Sequence, residues 1–199
     1  IIVAMSWIIL SLIGSMPFYL SGYIPSYIDA LFESVSGFTT TGASILSNVE
    51  NLSNGMLFWR IFTHWIGGMG VLVFIIAVLP LTGGENMHIM RAETPGPSVG
   101  KLVPKLRKTA IYLYAIYFSL TVFQTVLLII NKMPIFDAVC IAMGTAGTGG
   151  FGIKNSSMAS YGVTINVIVT VFTLLFGVNF NFYFLILMRK FKDAFKMSE

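Results

Sequence analysis

Apolar residues gather into four long runs: Ile1 to Leu20, Leu57 to Leu81, Ala110 to Ile130, and Val163 to Met188. About 20 helical residues at ~1.5 Å each cross the hydrocarbon core of a bilayer, so each run is long enough to span one. Two shorter apolar stretches lie between the runs. Ala30 to about Phe38 and Ala138 to about Thr145 each follow an aspartate, Asp29 or Asp137, suited to capping a new helix. Helices of that length reach only about halfway across a bilayer, which predicts two re-entrant half-helices. Polar connections fill the rest: Ser21 to Tyr27, Ile45 to Gly55, the long Thr82 to Thr109, the turn Asn131-Lys132-Met133-Pro134, and Lys154 to Tyr161.

The order is span, half-helix, loop, span, twice over. Superposing Asp29-Ala30 on Asp137-Ala138 aligns Thr40 with Thr148, Gly42 with Gly150 and Ser44 with Gly152, without a gap. Such internal duplication is a strong organisational signal. The expected fold is an all-α membrane protein of two parallel helix–pore-loop–helix repeats, resembling a K⁺ channel in plan. Its expected parts are residues 1–81, a basic cytoplasmic linker 82–109, and residues 110–199 with a cytoplasmic tail.

Composition agrees. The chain is 56% hydrophobic and 10% charged, against about 25% charged in soluble domains. Its net charge of +4 comes from basic residues beside the apolar runs, which argues for membrane lipid as a partner and against nucleic acid. Arg91, Lys101, Lys105, Arg107 and Lys108 in the central loop, with Arg189, Lys190, Lys192 and Lys196 in the tail, outnumber Arg60, Lys132 and Lys154 on the other side. The positive-inside rule then puts linker and tail in the cytoplasm and brings both loops in from outside. The basic cluster from Lys101 to Lys108 reads as the usual flank of a span, with lipid headgroups or a regulatory subunit as the sharper alternatives. The single Cys140 allows no intrachain disulfide and reads as a small buried apolar residue. The chain opens Ile1-Ile2-Val3, without the basic start of a signal peptide, and reads as a fragment entered within a membrane helix.

After each half-helix comes a Thr/Gly loop, Phe38 to Ser44 and Ala146 to Gly152. Backbone at membrane depth that is neither helix nor barrel must be buried in protein or line a wet cavity. Carbonyls aimed at one axis can replace the hydration shell of a dehydrated K⁺. Aiming successive carbonyls the same way needs positive φ, which glycine adopts with little strain. The half-helix adds its C-terminal partial negative charge behind the loop. The candidate ion-coordinating residues are Thr40, Thr41 and Gly42 with Thr148, Gly149 and Gly150, Thr40 and Thr148 lying at the cytoplasmic end.

Phe32-Glu33-Ser34-Val35-Ser36-Gly37-Phe38-Thr39-Thr40-Thr41-Gly42-Ala43-Ser44 resembles the first pore loop of the Trk-type bacterial potassium transporters, the TrkH family. Phe58-Trp59-Arg60, His64-Trp65-Ile66-Gly67-Gly68-Met69-Gly70, Arg91 to Pro97 and Thr148 to Phe151 are similar to the same family. The resemblance covers essentially the whole chain. It implies K⁺ as transported ion, no organic cofactor, a bacterial inner-membrane location, and two of four filter loops, the remaining two repeats completing the ring. It also implies a homodimer and a cytosolic nucleotide-binding regulatory subunit. The first loop departs from the Thr-Val-Gly-Tyr-Gly pattern of K⁺ channels, keeping one of its glycines, so a looser filter is expected. A two-loop K⁺ channel working as a dimer and a non-conducting scaffold for a cytosolic regulator are the alternatives.

Other residues weigh less. His64 and His88 have no cysteine or carboxylate at metal-ligand spacing and read as packing or loop residues. Glu33 and Arg60 read either as interfacial charges or as an ion pair bracing the half-helix. Gly67, Gly68 and Gly70 read as close-packing positions. Gly177, Asn179 and Asn181 interrupt the fourth run, for helix–helix hydrogen bonding or cavity lining. Neither a nucleophile–base arrangement, nor paired carboxylates, nor a phosphate-binding Gly-Lys-Ser/Thr loop occurs, which argues against an enzyme.

Overall fold

The computed structural model describes residues 2–70 and 106–188, and these are helical, with no strand among them. The first repeat is α1 (Ile2–Leu20), α2 (Tyr27–Phe38) and α3 (Asn54–Met69). The second is α4 (Leu106–Ile130), α5 (Ile135–Ala146), α6 (Val163–Gly177) and α7 (Phe180–Leu187). The end of the second apolar run, most of the linker with His88, and the basic tail from Arg189 lie outside the described residues.

The two half-helices α2 and α5 occupy residues 27–38 and 135–146, in register at both ends with the duplication seen in the sequence. Each packs on the long helix before it and the helix after it, and α3 packs on α5, joining the repeats. The expected aspartate caps are corrected. Ser26 is the N-cap of α2, its hydroxyl accepting from the Asp29 N–H at 3.4 Å, and Pro134 precedes α5. Asp29 and Asp137 stand in the first turn of their helices instead, where a carboxylate also suits the positive end of the helix dipole. The fourth run is corrected as well. It is two helices, parted at Val178 and Asn179, and the Tyr183 hydroxyl crosses the break to the Leu175 carbonyl at 2.8 Å.

Large apolar side chains are exposed along α1 (Ile8, Ile9, Ile13), α4 (Phe118, Phe123, Ile130) and α6 (Val163, Val167, Leu174). Ser15, Glu33, Ser34, Arg60, Thr63, His64 and Gln124 are buried. Apolar side chains on the outside, with polar ones turned inward among an apolar core, suit lipid as solvent. Ala110–Ile130 of α4 is long and apolar enough to cross a membrane, and the apolar parts of α1 and α6 are shorter.

Close approaches and polar stitches hold the helices together. A Cβ on Gly14 would strike the Phe38 ring and the Ser34 hydroxyl, and one on Gly67 would overlap the Phe38 carbonyl. One on Gly68 would meet the Tyr117 hydroxyl at 2.6 Å and the Gly147 Cα at 2.7 Å. Gly67 and Gly68 are therefore close-packing positions. Gly70 differs: it caps α3 at φ 88°, its N–H donating to the Gly67 carbonyl. Ser34 donates to the Ser11 carbonyl at 3.0 Å, the Trp59 indole to the Gly14 carbonyl at 2.9 Å, and Tyr117 to the Trp65 carbonyl at 2.9 Å.

Candidate functional site, two matched loops

Each half-helix ends in the same way. The Thr39 N–H donates to the Val35 carbonyl, and the Gly147 N–H, its counterpart, to the Met143 carbonyl. The next N–H groups, of Thr40 and Thr148, both donate at 3.0 Å to the carbonyl three residues back, Gly37 and Thr145. Thr40 and Thr148 then take φ 53° and 54°. A β-branched residue in the left-handed region is strained by about 1–3 kcal/mol and persists where its surroundings hold it. Two residues on, Gly42 and Gly150 take φ 75° and 87°. The backbone thus enters the left-handed region at the same two steps in both loops, with threonine and then glycine.

The loops also touch. The Gly149 carbonyl oxygen lies where a Cβ on Gly42 would sit, and the Thr40 carbonyl oxygen close to where one on Gly149 would sit. Four of the six candidate residues, Thr40, Gly42, Thr148 and Gly150, share the matched backbone. Gly42 and Gly149 form the contact, and Thr41 is tied back by its N–H to the Ser36 carbonyl at 3.0 Å. The next carbonyl is turned toward the half-helix in both loops. Ala43 accepts from the Ser36 hydroxyl at 2.5 Å, and the Phe151 carbonyl lies 2.9 Å from where a Cβ on Gly144 would stand. Gly144 replaces the serine by offering room.

A buried ion pair stands behind both loops. Arg60 Nε and Glu33 Oε1 are 2.5 Å apart, with side-chain exposures of 3% and 0%. Glu33 also accepts from the Ser44 hydroxyl and from the Ile45 N–H at 3.0 Å, which fixes the exit of the first loop. Arg60 donates to the Gly152 carbonyl at 2.9 Å and lies 3.6 Å from the centre of the Phe151 ring, which fixes the second. The bracing reading of this pair holds, and the interfacial one does not. Both residues sit within their helices, and the pair serves both repeats.

Outside the loops, Asn155 joins the second loop to the 3-10 turn Val49–Asn51 of the first repeat. It accepts from the Val49 N–H at 2.9 Å, donates through its amide to Asn48 at 2.7 Å, and donates its own N–H to Glu50 at 3.0 Å. Asp137 accepts from the Tyr161 hydroxyl at 2.8 Å and lies 3.5 Å from Lys154 Nζ. Burial and the bond to Asp137 hold the Tyr161 phenol above its ordinary range. Among the described residues, the cations beside the loops, Arg60 and Lys154, are each met by a carboxylate. Sequence reasoning missed Asn155, an unremarkable residue in a polar loop whose partners lie more than 100 positions away. His64 is a packing residue, as its isolation from metal-ligand spacing suggests, and its ring packs on the second loop, 4.6 Å from Phe151. Cys140 is buried as a free thiol, as expected.

The family model described as TrkH, cation transport protein, matches residues 1–198. The chain is 39% identical over 190 residues to the Trk system potassium uptake protein TrkH of Salmonella typhimurium, covering 94% of this chain and 39% of that protein. It is 38% identical over 154 residues to an uncharacterized cation transporter of Methanocaldococcus jannaschii, covering 77% and 32%. Among solved structures it is similar to the potassium transporter TrkH from Vibrio parahaemolyticus, with a TM-score of 0.71 and 35% identity over 89% of this chain and 35% of that one. The chain thus spans about two fifths of the length of the curated TrkH relatives it matches.

Proposed function

The chain belongs to the TrkH family of cation transport proteins, and from that premise we propose that it supplies two of four filter loops in a channel-like pore for potassium uptake. The observation that carries this reading is the matched backbone at Thr40 and Gly42, and at Thr148 and Gly150, in two loops that touch.

In this reading K⁺ is the substrate. Its lost hydration is replaced by carbonyls of Thr40, Thr41 and Gly42 and of Thr148, Gly149 and Gly150. Positive φ at Thr40 and Gly42, and at Thr148 and Gly150, with none at Thr41 or Gly149 between them, helps turn successive carbonyls to one side, where an extended strand would alternate them. The C-terminal ends of α2 and α5 lie just behind and favour a cation by their partial negative charge. Pairing of Arg60 with Glu33 and of Lys154 with Asp137 keeps fixed positive charge from opposing it. The loops face outside and the basic linker and tail face the cytoplasm of a bacterial inner membrane, on the positive-inside rule. Two further repeats complete the ring, and the whole transporter works as a homodimer with a cytosolic nucleotide-binding regulatory subunit.

The test is growth of potassium-uptake-deficient bacteria at low K⁺. The full-length transporter restores growth, and residues 1–199 alone do not. Failure of the full-length protein, or growth with residues 1–199 alone, overturns the two-of-four reading.

A further inference from the structure

His64 projects from α3 into the seam between the two loops and is fully buried. Neither ring nitrogen has a hydrogen-bond partner among the described residues. Its ring meets the edge of Phe151 at an interplanar angle of 70°. A Cβ on Gly147 would overlap His64 Cδ2 and come 2.8 Å from its carbonyl oxygen. A Cβ on Gly149 would overlap His64 Nε2 and Cε1 and the Thr40 carbonyl oxygen.

The duplication shows why those two residues are glycine. Their counterparts in the first loop are Thr39 and Thr41. Thr39 has φ −81° and Gly147 φ −70°, and Gly149 is not among the residues of positive φ. Backbone conformation therefore does not demand glycine at either place. The demand is for space, which the imidazole uses at Gly149 and shares with the His64 carbonyl at Gly147. His64 stands where the second loop would otherwise carry its own side chains, in reach of the Thr40 peptide of the first.

We propose that His64 is a positioning residue of the filter, its imidazole acting as a spacer that sets the separation of the Thr40 carbonyl in one loop from Gly147–Gly149 in the other. This rests on the filter reading above. The ring does so by shape: it fills the space beside Gly147 and Gly149, and its nitrogens have no partner among the described residues. Loss of the ring leaves α3 and the ion pair in place and leaves Gly149 and the Thr40 carbonyl free to shift into the space it filled, which loosens coordination of K⁺.

The test uses the full-length transporter and measures KM and Vmax for K⁺ uptake, the preference for K⁺ over Na⁺, and membrane abundance. His64→Ala removes the ring from both glycines, the His64 carbonyl staying beside Gly147; His64→Asn keeps the stem beside Gly147 and drops the outer ring atoms at Gly149. Both variants are expected to raise the K⁺ KM about fivefold and lower the K⁺ preference, with Vmax and abundance within about twofold of wild type. If His64→Ala fails to accumulate, His64→Asn decides. Unchanged KM and preference at normal abundance, or a fall in Vmax alone, overturns the proposal. Gly42→Ser in the same assay separates the two ideas. If it shifts selectivity while the His64 variants do not, only the spacer falls; if it too has no effect, the filter reading falls with it.

Discussion

Arg60 and Glu33 form one buried contact, 2.5 Å from Nε to Oε1, that holds both loops at once. The carboxylate keeps Ser44 and Ile45 of the first loop, and the guanidinium keeps Gly152 and Phe151 of the second. Removing one partner of a buried pair leaves an uncompensated charge and costs about 3–5 kcal/mol. Glu33→Gln and Arg60→Gln are each expected to lower the stability of the full-length transporter in detergent on that scale. The double variant is expected to lose less than the sum of the two. Thermal unfolding of the three proteins checks this, and additive losses would mean the pair is not coupled. Exchanging the two charges is not expected to rescue. A glutamate at 60 cannot donate to Gly152, and an arginine at 33 cannot accept from Ser44 and Ile45.

Gly42 and Gly150 share a left-handed backbone, but their surroundings differ. The Gly149 carbonyl closes on Gly42, while nothing among the described residues lies within 4 Å of a Cβ on Gly150. A cavity of about 190 Å³ lies beside Gly150, lined also by Thr148, Val169 and Thr173. A closed ring would seat a third loop there as the second seats against the first. In the full-length transporter, Gly150→Ala is therefore expected to impair K⁺ uptake as severely as Gly42→Ala. Backbone strain alone, about 1–2 kcal/mol, would leave Gly150→Ala clearly milder in an uptake assay, and that result would deny the third neighbour.

Tyr161 donates to Asp137 from a loop beside the second half-helix. Its raised phenol gives stability that is complete below the unfolded value of about 10 and is lost as pH climbs toward the higher folded value. Wild type is expected to lose stability relative to Tyr161→Phe as pH rises above about 10, with the difference constant below that. Unfolding midpoints across the alkaline range measure it, and parallel curves would show that the bond to Asp137 contributes no such linkage.

The outline of this architecture was legible because it is periodic. The apolar runs gave the positions of α1, α3, α4 and α6, and the offset between Asp29 and Asp137 gave the half-helices, whose ends obey it. The aspartates were misplaced because a carboxylate suits the N-cap and the first turn alike, and composition does not separate them. The fourth run reads as one span interrupted by Gly177, Asn179 and Asn181, and the break between Gly177 and Phe180 falls among those residues, though their polarity does not say that the helix stops and starts again there. Glu33 and Arg60 could be suspected as partners, since charge within an apolar chain must be met. That they span two repeats follows from the way α3 packs on α5, as does the placing of His64 against Gly149. Asn155 was invisible for the same reason, its partners being chosen by tertiary approach.

The central claim is that the matched loops form walls of one potassium filter. Its most direct test is K⁺ over Na⁺ selectivity of the full-length transporter carrying Gly42→Ser, measured by ion flux. A serine there must take φ 75° and overlap the Gly149 carbonyl, so selectivity is predicted to fall while K⁺ still passes. Unchanged selectivity in protein of normal abundance would contradict the account.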